Sequence, residues 1–198
     1  MSNDQAHLLD SYLASRHRIK NFIALTLIVT DFGEAQRVLE NDLRLEHDDF
    51  AEVLRDLWIG YFDSLIDRSK GATNAPSIWK ALFPKKAQRI EQWEQDSQPY
   101  LRIVRRYRSE RCFHANESLV QQIATWREYQ NVKNDITKLM HRFLDIANEI
   151  IAEEDKLDGL AARIEACSQQ LNLLPGAAFT PDFLAKYIFG PPAFHISS

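Results

Sequence analysis

The feature that most constrains this chain is the recurrence of apolar residues at three- and four-residue intervals, with no segment that alternates as a strand would. Between Asp48 and Asp67 the apolar residues are Phe50, Val53, Leu54, Leu57, Trp58, Tyr61, Phe62, Leu65 and Ile66. That spacing draws one stripe down one side of a helix. Asp48 and Asp49 suit its positive amino end. A second stripe, Val132, Ile136, Leu139, Met140, Phe143, Ala147, Ile150 and Ile151, predicts a long helix from about Asn131 to Glu153. Only 6 glycines and 7 prolines occur in 198 residues, too few breaks for many short elements. The fold class is therefore all-α, an antiparallel helical bundle.

The remaining boundaries follow from caps and breakers. Ser2, Asn3 and Asp4 are placed to cap a helix running to about Arg16. A second passes through Ile19, Phe22, Ile23 and Leu27 towards Leu39. The segment from Ser69 to Ala75 reads as a turn, and Pro76 opens a short helix to Phe83, because proline is welcome in a first turn. Pro84 ends it. Helices are expected from Lys85 to Gln95 and, after a reset at Pro99, from Gln98 to Cys112. Further helices are expected over Leu119–Arg127 and Leu157–Leu171. Pro175-Gly176 breaks the pattern, and Thr180-Pro181 starts a last short helix before the tail. Residues 1–174 thus read as one helical domain with additional terminal helices, and 175–198 as a short helix and tail.

Hydrophobic residues make up 45% of the chain and charged residues 26%, as in ordinary soluble domains. The first residues lack the basic start and apolar run of a signal peptide. The longest apolar run, Phe22 to Val29, is interrupted by Thr26 and falls far short of the roughly 20 residues a membrane span needs. Cys112 and Cys167 have no ligand-like spacing and favour free thiols in a reducing compartment. A cytoplasmic protein without membrane association is the expectation. The net charge of -4 and pI of about 5.9 argue against a general nucleic-acid coat, though a local basic patch remains compatible with RNA binding.

Such a patch is present. The stretch R-I-V-R-R-Y-R-S-E-R-C-F-H-A-N places Arg102, Arg105, Arg106, Arg108 and Arg111 within ten residues, with the single acid Glu110, and then presents His114. Guanidinium groups hold phosphates through forked hydrogen bonds. Imidazole moves protons near neutral pH. For RNA, a base takes the 2′-hydroxyl proton, a cation stabilises the charge on the phosphorane, and an acid protonates the leaving oxygen. On an unbroken helix Arg108 and His114 would stand roughly 120° and about 9 Å apart. Their convergence on one phosphate needs the helix to end between them, or a second copy of the chain. A solvated helix face is the simpler account of the arginines taken alone.

The segment Y-R-S-E-R-C-F-H-A-N resembles the signature of the HEPN superfamily, an arginine followed after four to six residues by a histidine near the end of a bundle helix. Upstream, L-I-D-R-S-K-G-A-T-N-A-P-S-I-W-K-A-L-F is similar to the helix end and turn of abortive-infection-type HEPN proteins. The resemblance covers roughly Asp48 to Ile151. It implies a metal-independent endoribonuclease of toxin–antitoxin or phage-defence type, without metal or cofactor. It also implies a homodimer whose two motifs share one cleft, with RNA as substrate and an antitoxin or other regulatory protein as partner. Carried over, Arg108 polarises the scissile phosphate and His114 moves a proton or positions the phosphate. Arg105, Ser109, Arg111 and Asn116 assist substrate binding. Ser109 stands where the family has Asn, Asp or His, which favours the alternative of a non-catalytic HEPN-like module binding nucleic acid, nucleotide or protein. Asn116 stands where one subgroup carries a tyrosine, so regulation through that tyrosine is not implied. A third reading is a helical scaffold that associates through its apolar stripes.

Other candidates are weaker. His7, His17, His47, His141 and His195 form no metal spacing. Glu149, Glu153, Glu154 and Asp155 read as a solvated acidic helix end. Trp58, Trp79, Trp93 and Trp126 read as core or interface anchors. The chain contains no phosphate-binding glycine loop and no nucleophile elbow.

Overall fold

The computed structural model describes residues 2–30, 47–69, 74–112 and 118–172. The expected helix from Thr180, the tail, and the segment towards Leu39 lie outside the described residues. Six α-helices occur among them: α1 Asn3–Thr30, α2 His47–Ile66, α3 Ala75–Leu82, α4 Ala87–Tyr107, α5 Leu119–Ile151 and α6 Leu160–Asn172. No strand occurs among the described residues. None of these helices is long and apolar enough to cross a membrane.

Side-chain pairs set the packing directions. Trp58 donates to Thr26 at 2.9 Å, and Asn21 to Tyr61 at 3.2 Å. Rising numbers on α1 meet falling numbers on α2, so the two are antiparallel. The α4–α5 pair runs the same way. Lys86 bridges Glu149 and Glu153, Trp93 Nε1 donates to the Leu139 carbonyl at 3.0 Å, and Arg106 meets Glu128 at 3.1 Å. The short α3 packs against α1 and α4, and α6 against α1.

The core is an aromatic cluster to which five helices contribute. Phe143 of α5 lies 6.2 Å from Phe22 of α1, 5.6 Å from Phe62 of α2, 5.0 Å from Trp79 of α3 and 5.2 Å from Trp93 of α4, between ring centroids. Two of these pairs are edge-to-face, the arrangement the ring quadrupole favours. All five side chains are buried.

Three expected breaks are absent. α1 continues through Arg16 because that residue stays in the buried stripe between Leu13 and Ile19. Its guanidinium makes two 2.5 Å bonds to Glu154, which also accepts from the Tyr12 hydroxyl at 2.8 Å. The acidic end of α5 is thus not simply solvated, since Glu154 is the counterion of a buried arginine. α4 continues through Pro99. Proline removes one ladder bond, at a cost of about 3 kcal/mol in a helix interior. Here Pro99 and Gln95 are both exposed, so water can serve the Gln95 carbonyl while Trp93, Ser97, Leu101 and Val104 stay buried. α5 runs unbroken from Leu119 because Tyr129, at the expected gap, is buried and packs on Tyr107 at 4.6 Å.

Caps agree better with expectation. Ser2 Oγ accepts from the Gln5 amide. Asn74 works at both ends of a turn. Its Oδ1 accepts from Ser77 N at 2.8 Å to start α3, and its Nδ2 donates to the Ile66 and Asp67 carbonyls that close α2. Trp58, Trp79 and Trp93 are core residues, whereas Trp126 is exposed, as are Val53 and Leu57 of the α2 stripe.

The aromatic cluster predicts that Phe143→Ala lowers unfolding free energy by about 3–5 kcal/mol in a chemical melt. Val120→Ala, at an exposed site, should fall within about 0.5 kcal/mol of wild type.

Candidate functional site

The arginine helix does not run to Cys112 as an α-helix. At Arg108 it widens into a π turn, Arg108–Cys112. Such one-turn insertions are frequent at functional sites. The turn is fastened to the first turns of α5 through Glu110. That carboxylate accepts from Thr125 Oγ1, from Arg106 Nε at 3.0 Å and from Gln121 Nε2 at 3.3 Å. These donors, Thr125 first, hold its carboxyl below the usual range. Ser118 caps α5 by accepting from Gln121 N.

Opposite the π turn, α2 presents a buried acid. Asp63 is 2% exposed and belongs to the register of the apolar stripe, four residues after Ile59 and three before Ile66. Its Oδ2 accepts from Arg108 Nη1 at 2.8 Å, and Arg105 Nε lies 3.8 Å from Oδ1. Oδ1 makes no hydrogen bond among the described residues. Burial pushes the Asp63 carboxyl up, and the Arg108 hydrogen bond and charge pull it back in part. Seven residues earlier, on the same face, Asp56 accepts from the buried Tyr107 hydroxyl at 2.7 Å. Its carboxyl is likewise pushed up by burial, against the pull of Tyr107.

The sequence-predicted residues are therefore only partly brought together. Arg105 and Arg108 meet on Asp63. The Arg108 side chain is 37% exposed, so it lies half in the bundle and half at the surface. Ser109 is exposed in the π turn. Arg111 falls on the same turn, and its side chain lies outside the described residues. His114 and Asn116 also lie outside them. Sequence reasoning missed Asp63, Asp56 and Glu110. The signal for Asp63 was present, because an acid in an apolar stripe cannot remain buried without a cation to answer it. Among the described residues no three His, Cys, Asp or Glu side chains gather as a metal site would require.

The buried pair makes a pH-dependent prediction. Arg108→Ala leaves the Asp63 charge, among the described residues, with the more distant Arg105, so its native pKa rises further. An acid whose native pKa exceeds its unfolded value binds more protons when folded, so stability falls as pH rises through that window. The loss caused by Arg108→Ala should therefore be small near pH 4, the unfolded aspartate value, and grow to about 1–2 kcal/mol at pH 7. Adding Asp63→Asn removes the buried charge and should recover most of the loss in the same melts. In comparisons with known proteins, the chain matches no family model, no curated protein and no solved structure.

Proposed function

We propose that the chain is a HEPN-like endoribonuclease of toxin–antitoxin or phage-defence type that cleaves RNA without a metal ion, as a homodimer. The observation that carries this reading is the placement of Arg108. It is the first residue of the π turn, where regular α-helix ends six residues before His114, and Asp63 orients its guanidinium from behind.

In this reading Arg108 stabilises the charge that develops on the scissile phosphate, and His114 transfers a proton to or from the sugar hydroxyl. Arg105 shares Asp63 with Arg108 and adds positive charge beside it. Arg111, Ser109 and Asn116 extend the contact to substrate. Val120, Ile123 and Trp126, exposed on the first turns of α5 beside the π turn, supply apolar surface for the second copy. The localisation that goes with this reading is the cytoplasm, where RNA and a regulatory antitoxin would both be met.

A second reading has its own observation. Arg108 neutralises a buried carboxylate, and that structural duty by itself accounts for an arginine at this position. A non-catalytic HEPN-like module that binds nucleic acid, nucleotide or protein would show the same pair, and exposed Ser109 in place of Asn, Asp or His suits it.

Purified protein incubated with mixed RNA in EDTA separates the two. Wild type is expected to cleave. His114→Ala and the stability-compensated Arg108→Ala/Asp63→Asn variant should lose at least about 100-fold in rate while remaining folded. Equal cleavage by all three proteins would identify a contaminant and sink the enzyme reading. RNA binding without cleavage by wild type would leave the non-catalytic module.

A further inference from the structure

α4 carries a second basic feature, on the face one turn before the Asp63 contact. Gln98, Leu101, Arg102 and Arg105 follow the i, i+3, i+4, i+7 spacing of one helix side. With Arg68, just past the carboxyl end of α2, they line an open cleft of about 260 Å³. Leu101 is buried and forms its floor.

Two of the three guanidiniums have buried acids behind them, Arg68 through a hydrogen bond and Arg105 through a longer ion pair. Arg68 Nη2 donates to Glu94 Oε1 at 2.7 Å, and Glu94 Oε2 is taken by Lys80 Nζ at 2.6 Å. Arg105 leans on Asp63, which Arg108 already engages at 2.8 Å. Arg102 is exposed and forms no ion pair among the described residues. One more acid stands near. Asp67 feels the charges of Arg105 and Arg108 and is held by the Ser69 amide and hydroxyl, each at 2.9 Å. Among the described residues, Arg68, Lys80, Arg102, Arg105 and Arg108 stand against Glu94, Asp63 and Asp67, an excess of two positive charges around a cleft in a chain of net charge -4. A guanidinium has five N–H donors, and one bond to an acid behind it leaves others directed outward. Oriented in advance, such donors lose little freedom when a phosphate arrives.

We infer that the Arg68–Arg102–Arg105 cleft is a phosphate subsite that grips the backbone of the RNA strand beside the scissile bond. It rests on the ribonuclease reading for its substrate, but its residues are separate from Arg108 and His114. Arg105 joins the two regions, because it lines the cleft and reaches Asp63. The contact is to backbone phosphate and carries no base preference.

Fluorescence anisotropy with a short labelled oligouridylate tests it, using full-length protein carrying His114→Ala so that the strand stays intact. Arg102→Gln should weaken binding about fivefold and reduce the slope of log affinity against log salt by about 0.7, the single-strand value for one lost phosphate contact. Arg68→Gln should do the same. Lys156→Gln, exposed near the amino end of α1, should change neither. Thermal melts confirm folding, and Arg102, exposed and without an ion pair among the described residues, is the substitution least able to disturb it. An oligoadenylate should show the same losses as oligouridylate. Unchanged affinity and slope in both arginine variants would overturn the subsite while leaving cleavage by wild type intact. Loss of binding in the variants, with no cleavage by the protein bearing His114, would support the subsite and reject the enzyme. Failure of wild type to bind RNA would overturn both. Competition by inorganic phosphate or ADP that is sensitive to Arg102→Gln, with RNA binding insensitive to it, would assign the cleft to a free phosphate and overturn the strand contact.

Discussion

The packing of Phe143 against four other aromatic rings is the constraint on which the remaining geometry depends. Each ring comes from a different helix, so the cluster fixes five helices against one another at a single depth. Phe62 and Trp93 also meet directly at 6.2 Å, which sets α2 against α4. Once those two helices are placed, Asp63 lies one residue from Phe62 and faces the far end of α4. The π turn, which continues α4, is thereby brought against α2.

Burying a carboxylate at that point makes demands of its own. An isolated charge in an apolar stripe is strongly unfavourable, and its attraction to an arginine offsets this only with good geometry. Asp63 meets the demand with one short bond to Arg108 and a longer approach from Arg105. Glu110 takes the complementary part from the other side, tying the π turn to α5 through Thr125, Gln121 and Arg106. The helix end is thereby gripped by acids on two flanks. Such a grip would orient cationic side chains for the anionic substrate proposed above, and it also gives them a reason to exist in the absence of any substrate. The pH dependence of stability and the compensated double variant separate these two contributions.

Much of the bundle was legible in the sequence, and the three misplaced helix breaks share one cause. The stripes of α2 and α5 announce helices because their apolar residues recur without interruption. α1, α4 and α5 each appeared broken where a polar residue or proline occupies the stripe or its flank: Arg16, Pro99 and the residues before Tyr129. In each case tertiary burial overrides the local signal. Arg16 is satisfied by Glu154 from a turn 138 residues away, a partner no local pattern can reveal. The site was legible as a charge cluster, and Arg105 and Arg108 do converge. What convergence required, an acid from another helix, lay hidden inside a stripe read as wholly apolar. Val53 and Leu57 err in the opposite direction, because periodicity marks a face without saying how far burial extends along it.

The central claim is that RNA is cleaved by its own 2′-hydroxyl, with Arg108 stabilising the phosphorane and His114 moving the proton. The most direct measurement is the chemistry of the ends produced. A defined oligoribonucleotide, and the same strand with a 2′-deoxy sugar on the 5′ side of the cleavage point, are incubated with wild-type protein and the termini identified by mass spectrometry. The account predicts a 2′,3′-cyclic phosphate and a 5′-hydroxyl from the first strand and no cut at that bond in the second. A 5′-phosphate with a 3′-hydroxyl, or equal cleavage of the 2′-deoxy strand, would contradict it.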